Sequence, residues 1–154
     1  MATLKSTIKE ELTLNGKDRG TENVFNITGI TESYHRIVTC PASQDTTIAT
    51  FKQHVYSSDS AFDVADVKYL RVTNLDDTNS LNLSLQISST ENGVADSSCT
   101  VLLAAQRSFI FGAVHDGIVV DSTTDSIVTS LTDLESVLVD PSTNEIQVEI
   151  FIAS

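Results

Sequence analysis

The chain has 154 residues, 40% of them hydrophobic, with 9 Lys plus Arg against 21 Asp plus Glu and a formal net charge of −12. That length fits one domain over residues 1–154, and the hydrophobic content argues against wholesale disorder. An acidic field without a basic stripe argues against nucleic-acid binding and against an anionic membrane surface, and it favours solubility.

Taken in chain order, Leu4, Ile8, Leu12 and Leu14 fall on even positions among Thr, Lys and Glu. This predicts a strand or an N-terminal arm over residues 1–14. The i, i+4, i+8 spacing also permits a helix through Leu12, but the threonines favour the strand. Asn15-Gly16 marks a hairpin turn, Gly20 closes the charged loop Lys17-Asp18-Arg19, and Val24 to Ile27 is a returning strand. Tyr34 to Cys40 is the next strand, ended by Pro41, which has no N–H for a ladder. Thr46 to Phe51 is rich in β-branched residues. The Ser- and Asp-rich stretch 57–66 is expected as a surface loop.

Val67 to Thr73 and residues 80–87 are strands, and the intervening Asn74 to Asn79 suggests an antiparallel hairpin over 67–87. Leu81-Asn-Leu83-Ser-Leu85-Gln-Ile87 alternates apolar and polar without a break, the pattern of a half-buried strand. Asn92-Gly93 marks a turn. Thr100 to Ala105 and Ser108 to Phe111 are short strands on either side of Gln106-Arg107, and Ile118 to Val120 resumes after Gly112 and Gly117. Residues 125–131 suggest another strand through Ile127. Leu131, Leu134 and Val137 or Leu138 have the spacing of a helical turn. Asp140 to Asn144 is a turn, and 145–152 is the closing strand. Nine or ten short strands in one domain predict an all-β fold, a single-domain antiparallel β-sandwich, jelly-roll-like.

Catalytic chemistry leaves weak traces. His35, His54 and His115 stand apart, without a His-x-His, His-Glu-x-x-His or Cys-x-x-Cys pattern. The adjacent His115 and Asp116 belong to a glycine loop, where adjacency makes no dyad. There is no Gly-x-Ser-x-Gly elbow, dinucleotide fingerprint or phosphate loop. No catalytic, cofactor-binding or metal residue is assigned and no cofactor is expected. Asn74, Asp76, Asp77 and Asn79 crowd one turn, with Asp63 and Asp66 upstream. These residue types favour turns on their own account, and calcium is the sharper alternative. Tyr34, Tyr56 and Tyr69 are candidates to line a surface, whereas Phe109, Phe111 and Phe151 lie in apolar strands and are expected in the core. Met1 to Glu11 has no apolar leader run, so synthesis in a cytoplasm is expected. Cys40 and Cys99 are then expected as thiols, each a small buried residue, with a disulfide between them as the alternative. Asn26-Ile-Thr28 and Asn82-Leu-Ser84 match the glycosylation pattern, which has little force in that compartment.

Four segments carry a resemblance: Leu12-Thr-Leu-Asn-Gly16, Tyr34-His-Arg-Ile-Val38, Val67 to Leu75 and Val148 to Ser154. In style they look like small virion proteins of marine tailed bacteriophages, including cyanophages, over most of the chain. The resemblance implies a capsid decoration or cement protein on the virion exterior, not an enzyme, made in the host cytoplasm. The partner it implies is the major capsid protein, and the assembly a homo-oligomer, with a trimer favoured. It carries no functional residue. A neck or tail component, or a glycan-binding host-recognition module, are the alternative expectations.

Overall fold

The computed structural model describes residues 1–52, 61–87, 97–112, 118–120 and 132–154. Its strands are β1 (Ala2–Glu10), β2 (Thr13–Leu14), β3 (Lys17–Asp18), β4 (Thr21–Ile30), β5 (Ser33–Cys40), β6 (Thr46–Lys52) and β7 (Phe62–Asp63). They continue as β8 (Tyr69–Asn74), β9 (Leu81–Ile87), β10 (Ser97–Leu103), β11 (Ser108–Gly112), β12 (Val119–Val120), β13 (Thr132–Asp140) and β14 (Ile146–Ala153). One sheet runs β10-β9-β13-β6-β7, with β12 also on β13, and the second runs β11-β8-β14-β5. All pairs are antiparallel except β6 with β7. The two sheets close on one core, the all-β sandwich expected from the alternating pattern.

The alternation explains that core. Leu81, Leu83, Leu85 and Ile87 point inward from β9, while Asn82, Ser84 and Gln86 face outward. Ile146, Val148, Ile150 and Ile152 do the same from β14, the central strand of the facing sheet. Leu70 and Val72 from β8, Phe51 from β6, and Val137 and Val139 from β13 complete the contact. Each such side chain, fully buried, contributes about 1.5–3 kcal/mol.

Two sequence expectations are corrected. Residues 67–87 do not form a hairpin, because β8 and β9 belong to opposite sheets. Leu70 and Val72 face the same core as Leu81 and Leu83 from the other side, so the strands face each other and do not pair. The turn between them is a corner. Asn74 is fully buried at its start, donating from Nδ2 to Asn79 O at 2.8 Å and Leu103 O at 3.3 Å. Leu75 N donates to Gln147 O, which holds the end of β8 in its own sheet. The first residue of the expected helical turn, Leu131, lies outside the described residues, and its continuation through Leu134 and Val137 or Leu138 is instead strand β13. Its register shifts between Leu134 and Ser136, and this bulge turns both Leu134 and Val137 inward at odd spacing.

The stretch 57–66 is described from residue 61. Phe62–Asp63 is a short strand and Val64–Asp66 one turn of 3-10 helix, capped by Asp63 Oδ1 accepting from Ala65 N. Val64 is buried, so this end of the stretch is part of the core, not a free loop. The turn expected at Asn92-Gly93 and the strand expected at 125–131 lie outside the described residues.

Residues 1–30 form a separate feature. Among the described residues β1 and β4 pair only with each other, as a two-stranded ribbon, and the strand reading of the N-terminus describes Ala2–Glu10. At its tip β2 and β3 flank the turn Asn15-Gly16, where φ is 53° and 71°. Positive φ at both central residues is the hairpin geometry that Asn-Gly supplies without a Cβ penalty at the second position.

Candidate interaction surface

The ribbon has two unlike faces. Directly opposed residues of an antiparallel pair project to the same side. Leu4 with Ile27, Ser6 with Phe25 and Ile8 with Asn23 therefore share one face. Thr3 with Thr28, Lys5 with Asn26, Thr7 with Val24 and Lys9 with Glu22 share the other. The first face is largely apolar and the second largely polar.

Only the base of the apolar face is covered. Leu4 and Ile27 pack with Phe151 on a small cluster of Ile30, Tyr69 and Ala153, outside the main core. Gly29 makes this docking possible. Its φ of +76° accompanies the register shift between Ala2 and Thr3, and this turns Ile30 back toward the body. Lys68 Nζ donates to Gly29 O at 3.0 Å, and a Cβ at Gly29 would lie 2.9 Å from that nitrogen. Beyond the junction, Thr31 N and Glu32 N both donate to Ser154 O, and Ser154 N donates to Glu32 O, which ties the ribbon to the C-terminal strand.

Toward the tip the stripe is bare. Ile8 is 38% exposed, Phe25 48%, Leu12 53% and Leu14 54%. Between this stripe and the second sheet lies a groove of about 700 Å³. Ile8, Phe25 and Ile27 line it on the ribbon side, and Lys68, Tyr69 and Ile110 on the sheet side. Its two boundary strands, β4 and β11, each pair on one side only among the described residues. Such edges can accept an added strand. The arrangement offers apolar contact and backbone pairing.

The outer face of the same sheet carries a polar relay that sequence spacing did not reveal. His35 Nε2 lies 2.6 Å from Glu149 Oε1, Arg71 Nη1 donates to Glu149 Oε2 at 2.8 Å and to Thr73 Oγ1 at 2.7 Å, and Thr73 Oγ1 lies 2.8 Å from Ser108 Oγ. Hydrogen bonds from His35 and then Arg71 hold the Glu149 carboxyl below its ordinary range. The signal was present but divided, since the members come from β5, β14, β8 and β11, and only the strand order brings them together. His35 is the single member singled out from the sequence. His54, His115, Asp116 and Tyr56 lie outside the described residues.

The acidic corner is occupied with its own backbone. Asp76 Oδ1 accepts from Asn79 N at 2.6 Å, Thr78 N at 2.8 Å and Asn79 Nδ2 at 3.1 Å. These donors hold the Asp76 carboxyl below its ordinary range, the Asn79 and Thr78 amides first. Asn74 Oδ1 accepts from Asp76 N, and Asn144 Nδ2 donates to Asn79 Oδ1. Of the residues weighed for calcium, Asn74, Asp76 and Asn79 thus build the corner, and Asp63 caps the turn at Val64–Asp66. Among the described residues no group of three His, Cys, Asp or Glu could hold a metal ion, and no helix is long and apolar enough to cross a membrane.

Three aromatic and cysteine expectations change. Tyr34 is half-buried edge-on to Phe62, 5.2 Å between ring centres, and does not line an open surface, whereas Tyr69 is largely buried beneath the ribbon and reaches solvent at the wall of the groove. Phe109 and Phe111 stack on each other against the main core, but Phe151 lies on the outer face under the ribbon. Cys40 is buried, and that burial pushes its thiol up. Cys99 is exposed, not buried, although its pairing with the inward-facing Leu85 of β9 puts it on the core side of the sheet, because β10 is an outermost strand among the described residues. Both are free thiols.

No known protein family matches the chain, and no curated protein does. Among solved structures it is similar to one described as "Bacillus endospore appendages form a novel family of disulfide-linked pili". The similarity covers 81% of this chain and 88% of that one, at 11% identity and a TM-score of 0.42. A likeness of that degree carries no argument about function.

Proposed function

We propose that this chain is a structural binding module, and specifically a capsid decoration protein that attaches to the major capsid shell and stabilises it without catalysis. The observation that carries the reading is the ribbon. A soluble, acidic sandwich holds out a strand pair whose apolar face is left bare beyond its base. An enzyme gains nothing from that arrangement, whereas a module that must adhere to protein does. The resemblance to small virion proteins supplies the shell as the specific partner.

Quantitative mass spectrometry of purified virus particles, against the major capsid protein, tests this reading. Hundreds of copies in a simple ratio to the capsid protein are expected. A dozen copies or fewer would move the role to the neck or tail, and absence from particles would overturn it.

A further inference from the structure

Charge divides this molecule as sharply as structure does. Residues 1–30 hold four cations, Lys5, Lys9, Lys17 and Arg19, and four anions, Glu10, Glu11, Asp18 and Glu22. The whole formal charge of −12 therefore belongs to residues 31–154. Two copies meeting body to body would repel each other. Two copies meeting ribbon to ribbon bring together neutral segments whose apolar faces are bare. Lys9 pairs with Glu11 on the ribbon itself, so this neutrality is local.

We propose that the groove between ribbon and sheet is filled by the ribbon of a second copy of this chain, the two ribbons lying antiparallel with their apolar faces together. Antiparallel placement sends the two acidic bodies to opposite ends. It sets Phe25 against its symmetry mate, Ile8 toward the groove-lining edge of the partner's Ile27, and the tip leucines Leu12 and Leu14 toward the partner's Ile110. The polar faces with Lys5, Thr7 and Lys9 point away from the ribbon-to-ribbon seam.

The size of the contact is adequate. A strand of this length spans about 30 Å and a pair of strands is about 10 Å wide, so one face offers about 300 Å². With each ribbon held between its partner's ribbon and sheet, the total approaches about 1,200 Å², the lower end of specific interfaces. A contact of that size and modest apolarity fits a dissociation constant in the micromolar range. The contact is isologous, so it closes at two copies and does not propagate. It replaces the trimer implied by the resemblance with a twofold pair. It gives to a second copy the same bare stripe that the capsid reading invokes, so the shell contact then belongs to another face of the pair. The two fail separately, because particle copy number and self-association are separate measurements.

Sedimentation velocity of the full chain, over a dilution series through the micromolar range, tests the pairing. A reversible monomer–dimer equilibrium is expected, strengthened by added salt because screening reduces repulsion between the bodies. Phe25→Asp, which puts a charge in the seam, should leave monomer at every concentration. Leu102→Asp adds the same charge on the outer face of the other sheet, away from both ribbons, and should leave the dimer within a few-fold of the parent. Ile8→Ser is a milder seam variant and should weaken the dimer tenfold or more. Circular dichroism shows whether each variant retains its strands. A parent that stays monomeric, a trimer, or equal loss of dimer in Phe25→Asp and Leu102→Asp would overturn the proposal.

Discussion

The ribbon and the sandwich are built from the same kind of strand and end in opposite conditions. In β9 and β14 every inward residue meets a facing sheet, and the apolar alternation is used up inside the molecule. In β1 and β4 the alternation is interrupted by Ser6 and Asn23 on the apolar side and Val24 on the polar side, and among the described residues the apolar side meets the body at Leu4 and Ile27. Isolated two-stranded ribbons are marginal in water, so the ribbon's stability rests on its junction and on whatever covers its stripe. An apolar pattern without a layer to receive it is where the proposed second copy is placed.

Substitutions separate the two regions, and the largest effect belongs to the core. Ile150→Ala empties a fully buried site in the middle of β14 and should cost about 2–5 kcal/mol, read as a lower midpoint in urea denaturation. The corner comes next. Asn74→Ala strands the Asn79 and Leu103 carbonyls that the amide serves and leaves Asp76 N without its acceptor, and should cost about 1–3 kcal/mol. A normal midpoint would show that the corner is held by the backbone alone.

The relay on the outer face should give a smaller, pH-dependent effect. The carboxyl of Glu149 is lowered in the folded state, so its contribution is full above the ordinary glutamate range and is lost as pH falls through the lowered value. Stability of the parent should therefore drop more steeply with acidification than that of Glu149→Gln; parallel curves from denaturation at several pH values would remove the relay from the account. The smallest effect on the folded monomer belongs to the ribbon. Phe25→Asp should change monomer stability by about 0.5 kcal/mol or less, because the ring is 48% exposed. A large loss would mean that the ring is part of the body's own core.

Much of the sandwich was legible because its signal is local. The period-two runs at 81–87 and 146–152, the Asn15-Gly16 turn and the stop at Pro41 each describe themselves. What was not legible depends on partners far along the chain. The corner after Asn74 looks like a hairpin because turn residues are the same in both; only the buried amide, reaching Leu103, separates them. The bulge near Ser136 imitates helical spacing because one extra residue shifts strand parity. The surface was half visible. Leu4, Ile8, Leu12 and Leu14 were apparent, and residues 1–14 stood out as a segment for strand addition. That Phe25 and Ile27 complete the stripe required the register of β1 on β4. The relay of His35, Glu149 and Arg71 needed the order of three strands.

The most direct test of the contrast is residue-resolved hydrogen exchange on the dilute protein, repeated at high concentration. The account expects the amides of Ser6–Glu10 and Thr21–Phe25 to exchange by local opening, far faster than those of Leu81–Ile87 and Ile146–Ala153, which should exchange only on global unfolding. Ribbon protection should then rise with concentration while the sandwich stays unchanged. Ribbon amides as slow as those of β14 in dilute solution, with no response to concentration, would contradict the claim that the ribbon is the part awaiting a partner.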